Sequence, residues 1–418
     1  MSQQPSKKLR ILLLLPTRTY RATDFLNAAL KLDVEVAVAS EKPATTAELS
    51  PRDTLMLDFR NPTVATQTIV EFAETHPIAA VIGVDDDTTM LATTASTALG
   101  LPHNPISSAK ATRDKYLLRQ ALEKNGVPVP NYRRFSIQDD VKKISTQINF
   151  PCVIKPLSLS ASRGVIRADN PTEFTEAFHR ITTLLNRVKE SRNINNDSFQ
   201  YLLVEDYIPG IEVALEGILL KGELKTLALF DKPDPLEGPF FEETLYITPS
   251  RLSKEIQDEL HIATAETSDA LGLQHGPVHA ELRYNEQGAH LIEIAARTIG
   301  GLCSRTLRFG TGISLEELVI RHAIGQPVQI FSREKQAAGV MMIPVPKMGI
   351  LGEVRGRKKA RNVNGIEEVN ITIPIGEEIV PLPEGDKYLG FIFARAETPE
   401  AVEATLREAH RFLEFVIL

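Results

Sequence analysis

The sequence predicts an α/β protein over its first hundred residues, continued by α+β units. Two patterns and the chain length carry that prediction. From Lys8 to about Pro105, short apolar runs (RILLLLP, VEVAVAS, AAVIGV) alternate with helix-length mixed segments at 63–75 and 88–99, the rhythm of parallel strands joined through helices. Strands then dominate through EVALEGILLKGELKTLALF, and from Ala337 the chain turns Gly/Pro-punctuated and strand-like. A chain of 418 residues exceeds what one hydrophobic core usually organises, so about two or three packed units are expected.

Each element follows in order. The first strand runs into PTRTYRATDF with no glycine, so the G-x-G-x-x-G turn of a dinucleotide site is missing and the N-terminal unit reads as a scaffold. Asp85, Asp86 and Asp87 stand between the strand AAVIGV and a helix, where capping of free N–H groups is favoured over a substrate role. After LPHNP, a helix carrying Leu117, Leu118, Ala121 and Leu122 stops at Asn125-Gly126. A strand FPCVIKP, a Ser-rich turn and a helix around 172–190 come next. ESRNINNDS (190–198) reads as a mobile surface loop and YLLVEDYI as a strand. A helix at 253–271, a strand pair at 278–296 and an amphipathic segment at 314–324 precede a tail from Ala337. That tail reads as a small α+β appendix of about eighty residues with a helix near 398–413.

Composition narrows the function classes. Hydrophobic residues at 43% and charged residues at 24% exclude a disordered or collagen-like chain. A net charge of −7 argues against a nucleic-acid partner while leaving room for a local basic pocket. Cys152 and Cys303, the only two cysteines, are too few for a disulfide framework or a Cys-rich zinc site. The apolar run at 11–15 is far short of a membrane span and lacks a cleavage pattern, so a cytoplasmic protein without membrane contact is expected.

The strongest chemical signal is the hairpin HAELRYNEQGAHLIEIAAR (279–297). A three-residue turn Glu286-Gln287-Gly288 pairs Asn285 with Ala289 and sets Glu281 directly opposite Glu293, whereas a two-residue turn slides the register by one and separates them. Two carboxylates opposed on one face repel, and a hard divalent cation between them resolves the conflict. The competing reading is a solvated hairpin face, but Glu293 sits in an apolar run where an unpaired charge is costly. Arg297, followed by Gly300-Gly301, offers a guanidinium for phosphoryl oxygens or an oxyanion beside an open bend. Lys155 leaves an apolar strand into PLSLSASRGV, a point charge beside hydroxyl and N–H donors that is not a Walker loop. Taken singly, an ordinary turn with a snorkelling lysine explains that segment as well.

In order, DKYLLRQALEKNGVPVP (114–130), FPCVIKP with its Ser/Gly loop, LLVEDYIPGIEV (202–213) and the 279–297 hairpin resemble the ATP-grasp superfamily of carboxylate–amine ligases. The likeness spans roughly residues 8–330. GPFFEETLYITPS (238–250) and the tail from Ala337 resemble the L-amino-acid ligase group within it. The resemblance implies an ATP-grasp fold divided into four: an N-terminal parallel α/β domain (1–105), a central domain (106–200), an ATP-grasp domain (201–335) and a small C-terminal α+β domain (336–418).

It also implies residue roles. Lys115 and Lys155 neutralise ATP phosphates under a mobile loop of Ser160, Ser162 and Gly164. Glu205, Asp206 and Ile208 meet the adenine edge and Glu212 holds the ribose. Glu281 and Glu293 bind Mg2+, two ions being expected and Mn2+ an alternative. Arg297 stabilises the acyl phosphate and tetrahedral intermediate, with Glu243 and Gly300 beside the amino-acid substrate. The implied activity joins a carboxylic or amino acid to an amine, with small-molecule partners and a homodimer as the expected assembly. Two positions depart from the pattern: Ala295 stands where many ATP-grasp enzymes place an Asn metal ligand, and Tyr246 stands where the group typically has His. The alternative is a carboxylase or carbamoyl-phosphate-type enzyme that phosphorylates bicarbonate. The N-x-R-x-Q-V-E-H stretch of the biotin-dependent version is replaced here by IEIAARTIGGLCSR.

Overall fold

Arg10–Leu14 is buried on both faces because nearly every residue in it is aliphatic, which suits the centre of a parallel sheet covered by helices. In the computed structural model, which describes residues 8–17, 19–42, 53–192, 197–328 and 331–418, this strand lies between Glu35–Ser40 and Ala80–Gly83. Thr54–Met56 pairs with the outer side of Glu35–Ser40, and all three pairings are parallel. Ile11 and Leu13 face the helices Ala22–Lys31 and Leu315–Ala323, while Leu12 and Leu14 face Pro62–Thr75 and Asp86–Ala98. The amphipathic segment expected at 314–324 thus returns to the N-terminal sheet and contributes Val319 and Ile320 to its core.

The helix read between LPHNP and Asn125-Gly126 is two helices, Ile106–Ala111 and Lys115–Lys124. Asp114 causes the break. Its carboxylate accepts the backbone N–H groups of Tyr116 and Leu117 at 2.9 and 3.1 Å, an N-cap geometry that starts a new helix at Lys115.

A four-stranded antiparallel sheet follows, ordered Tyr132–Ser136, Tyr201–Asp206, Cys152–Pro156, Ile166–Ala168. The helix Pro171–Arg192 covers it through Phe174, Phe178, Ile181 and Leu185. This helix takes in the start of the stretch expected to be a loop. Residues 193–196 of that stretch lie outside the described residues, and Asp197–Gln200 is a short 3-10 turn.

The third sheet has eight strands, in the order Gly288–Ala295, His275–Asn285, Ile211–Leu220, Glu223–Asp231, Leu245–Thr248, Ala337–Ile343, Gly390–Ala396, Ile366–Ile371. Lys254–Leu271, capped by Ser253 and ended by left-handed Gly272, packs on one face through Leu260 and Leu271. Ile299, Leu302, Leu307 and Phe309 fill the other face. The tail is therefore continuous with the central sheet rather than appended to it. A further three-stranded sheet (Glu378–Ile379, Gly349–Arg355, Glu414–Ile417) and the helix Pro399–Arg411 complete it. Among the described residues no helix is long and apolar enough to cross a membrane.

Candidate active site

The three sheets and the C-terminal strands surround a cavity of about 680 Å³, large enough for a nucleotide together with a small acid. Every site residue expected from the sequence lines it, with the exception of Gly164. Gly164 stands behind the loop with φ +73°, where an added Cβ would lie 2.8 Å from Pro156 Cγ.

The carboxylate pair forms, but by a different route from the one expected. Asn285 pairs with Gly288, so the turn has two residues, Glu286 and Gln287, and not three. That turn alone would separate Glu281 from Glu293. A bulge at Ile292 inserts the compensating residue, so Leu282 faces Leu291 while Glu281 faces Glu293. The Ile292 carbonyl accepts a hydrogen bond from the Arg119 guanidinium at 3.0 Å. Arg119 stands one helical turn beyond Lys115, and this spacing puts both cations on one face.

At one end of the cavity the cations converge. Lys115 Nζ lies 3.1 Å from Glu293 and donates to the Leu159 carbonyl at 3.0 Å, tying the helix start to the Ser-rich loop. Lys155 is paired with Glu205, whose carboxylate also takes two hydrogen bonds from Arg119 at 3.0 and 3.1 Å. Burial pushes the Glu205 carboxyl up, but Arg119 and Lys155 outweigh it and bring it from 4.5 down to about 2. The Lys155 ammonium is pushed below the usual lysine range, first by burial and then by Arg119 and Lys115, against the pull of Glu205. More positive than negative charge meets here, as a polyphosphate requires. Ser160 and Ser162 belong to a loop with left-handed residues Ala161 and Ser162 (φ 58° and 53°). The C-terminal unit holds this loop: Gly164 N–H donates to the Pro383 carbonyl at 2.9 Å and Arg163 Nε to the Glu384 carbonyl at 2.7 Å. Asp206 and Ile208 follow Glu205 along the same wall, at the strand exit of Tyr201–Asp206.

At the other end acids gather around a buried lysine that the sequence reading missed. Glu212, Glu243 and Glu281 bring ligand oxygens within 4.8 Å of one another. Lys232 Nζ lies between them, 2.8 Å from Glu212, 3.6 Å from Glu281 and hydrogen-bonded to Glu243. Burial lowers this ammonium, and the three carboxylates more than restore it, leaving it above the usual lysine range. Glu212 is further held by Arg283 Nε at 2.9 Å, and Glu243 accepts from the Tyr246 hydroxyl at 2.7 Å. Burial raises the Glu281 carboxyl, Lys232 opposes this, and Glu212 and Glu293 add to it. Glu281 and Glu293, opposed on a hairpin and open to a cavity, make a donor set of hard oxygens that fits a hard divalent cation. The signal that could have found Lys232 is its place in FDKPDP, directly after an apolar strand, as with Lys155.

Arg297 projects from the loop after Gly288–Ala295 and donates to Asp86 Oδ2 at 2.8 Å and to the Thr298 carbonyl at 2.9 Å. This corrects the capping reading for the middle aspartate. All three aspartates border the cavity, but Asp85 is the N-cap, its N–H reaching Thr88 Oγ1 at 3.3 Å, whereas Asp86 gives its carboxylate to Arg297. Gly300 is open: an added Cβ would meet nothing within 4 Å. Behind Arg297, the buried Glu216 accepts from the Ile299 N–H at 3.0 Å and bonds His279 at 3.1 Å, fixing the loop's exit to the Glu281–Glu293 hairpin.

Two domain families match this chain: an ATP-grasp domain over residues 148–306 and L-amino acid ligase C-terminal domain 2 over residues 341–417. The chain is 26% identical to alanine–anticapsin ligase of Bacillus subtilis (strain 168) over 235 residues, 53% of this chain and 49% of that one. It is 23% identical to dapdiamide A synthase of Enterobacter agglomerans over 354 residues, covering 82% and 81% of the two chains. The chain spans 49% to 64% of the length of the curated relatives it matches first. In structure it is similar to an L-amino acid ligase from Bacillus licheniformis, with TM-score 0.83 at 23% identity over 99% of this chain and 100% of that one.

Proposed function

We propose that this chain, which is similar to ATP-grasp enzymes and among them to the L-amino acid ligases, is an ADP-forming ligase that joins a small carboxylic or amino acid to an amine. The observation that carries this reading is one cavity in which Lys115 and Lys155 face one end, Glu281 opposes Glu293, and Arg297 stands beyond the carboxylates. In this reading the boundaries fall near residues 105, 200 and 335. The protein works as a cytoplasmic homodimer on small molecules, without nucleic acid or membrane.

A carboxylate is a poor electrophile, so it is first activated. A carboxylate oxygen attacks the γ-phosphorus of ATP, the bond to the β,γ-bridging oxygen breaks, and ADP leaves. Lys115 and Lys155 balance the phosphate charge, and the loop at 157–164 keeps water from the acyl phosphate. Glu281 and Glu293 would hold Mg2+, two ions in this reading, which would supply neutralisation of phosphate charge. Glu205, Asp206 and Ile208 line the adenine edge and Glu212 the ribose. The amine nitrogen then attacks the acyl carbon, forming the C–N bond as inorganic phosphate leaves and the nitrogen gives up its proton. Arg297 stabilises the oxyanion, and Glu243 and Gly300 border the amino acid.

The test is phosphate release from ATP with purified protein, screened over pairs of acids and amines with and without bicarbonate. Release that needs Mg2+ and two organic substrates, with an amide seen by mass spectrometry, is the expected result. Release that needs bicarbonate favours the carboxylase instead. Glu293→Gln is expected to abolish turnover with the melting temperature unchanged, and near-normal ADP release from that variant would falsify the metal assignment.

A further inference from the structure

We infer that Asp86, carried by the N-terminal unit, is the positioning residue for Arg297, so that the scaffold sheet takes part in the chemistry by aiming the guanidinium. The inference rests on the ligase reading above. Three consecutive aspartates open the helix Asp86–Ala98, and each does something different. Asp85 serves as the N-cap, and Asp87 is turned outward and paired with Arg113 at 3.2 Å. Asp86 is turned inward, its side chain 13% exposed and paired with an Arg297 side chain 14% exposed.

A guanidinium is planar, so two fixed hydrogen bonds set its orientation. Nη2 donates to Asp86 and Nη1 to the Thr298 carbonyl, and the remaining donors are left for the cavity that Arg297 lines. Thr298 is itself anchored to the N-terminal unit: the buried Arg21 bonds its hydroxyl and donates to the Val84 carbonyl at 2.6 Å. Side chain and backbone of the Arg297 loop are therefore both held by the same unit. A buried carboxylate beside a site for phosphates opposes anion binding directly, so its value lies in the cation it holds. Arg113, 3.5 Å away, gives Asp86 a second cation and keeps it ionised in place. Burial raises the Asp86 carboxyl, and Arg297, Arg113 and Lys115 overcome this and take it below the usual carboxylate range.

The experiment is a double-mutant cycle on amino-acid-dependent ADP release. Asp86→Asn in the full-length protein is expected to lower kcat by roughly 10- to 100-fold, the loss typical of a mis-set neighbour, with KM for ATP little changed, and to lower the melting temperature because a buried ion pair is broken. Asp86→Glu keeps the charge, moves the anchor and is expected to lower kcat as well, which covers poor folding of the Asn variant. In an Arg297→Lys background the same substitutions should change kcat by no more than about twofold, because the geometry they disturb is already gone. Multiplicative losses in the two backgrounds overturn the inference. So does a rise in KM for the amine at unchanged kcat, which makes Asp86 a substrate contact. A wild-type protein silent with every acid and amine sinks the ligase reading itself, and that result is distinct from active wild type with independent losses.

Discussion

Lys232 and Glu205 show how single charges are kept inside this protein. Lys232 is 9% exposed and sits among three carboxylates, an arrangement in which removing the cation leaves the acids facing one another. Lys232→Met is expected to cost roughly 3–5 kcal/mol, the usual penalty for breaking a buried pair, measured by urea unfolding at neutral pH. Glu205 presents the opposite case, one acid between Arg119 and Lys155. Its carboxyl falls from 4.5 to about 2 on folding, so its contribution is complete above the unfolded value and is lost as pH drops through the folded one. Glu205→Gln should therefore be less stable than wild type at pH 7, and the gap should close as pH falls from 4.5 toward 2. A gap that stays constant over that window shows that the charge of Glu205 does not support the fold. The lone residues most legible in the sequence were those leaving apolar strands toward function, such as Lys155 and Glu293. Arg119 and Asp86 were hidden because helix-face cations and N-terminal aspartates have ordinary structural explanations, and only the fold shows which way they point.

At the scale of elements, the hairpin and the Ser-rich loop differ in how far local pattern determines them. Strand alternation announced His275–Asn285 and Gly288–Ala295, yet turn length alone could not settle the register. The Ile292 bulge that restores it gives its carbonyl to Arg119, a residue more than 170 positions away, a partnership that no local signal encodes. The loop at 157–164 is likewise held from a distance. Besides the bonds of Pro383 and Glu384 to the loop, Glu384 takes a charge-assisted bond from Arg180 at 2.9 Å on the covering helix. If this clasp keeps the loop closed over an acyl phosphate, loosening it admits water. Arg180→Glu is expected to raise the ratio of ADP released to amide formed, and the swap Arg180→Glu with Glu384→Arg should bring the ratio back. Both side chains are partly exposed, so the swap leaves the core alone. An unchanged ratio in the single variant shows that the clasp does not guard the intermediate.

Across the whole molecule, the order of elements was legible and their assembly was not. Period-2 and period-3.6 patterns identify strands and helices one at a time, but sheet continuity is a property of pairings between distant segments. The tail shows the difference. Ala337–Ile343 pairs with Leu245–Thr248 over four residues, whereas Leu245–Thr248 meets Glu223–Asp231 through a single pair, Asp231 with Ile247. The strand Leu245–Thr248 is thus bound more firmly to the tail than to the segment before it. Three of the eight strands of the central sheet belong to the tail, and Leu245 and Ile247 are buried among Met341, Ile392, Val402 and Leu406. Gly339 allows the helix Pro399–Arg411 to close on this layer: an added Cβ would lie 2.6 Å from Val402. Removing residues 337–418 leaves Leu245–Thr248 as a bare apolar edge, and this strand carries Tyr246, whose hydroxyl holds Glu243 of the acid cluster. A protein ending at residue 336 is therefore expected to aggregate or to lose the Glu243 geometry. The intact chain should show one calorimetric transition for the central eight-stranded sheet and the C-terminal unit together. Two well-separated transitions, with nucleotide binding retained by the shortened protein, show instead that the C-terminal strands are an independent addition.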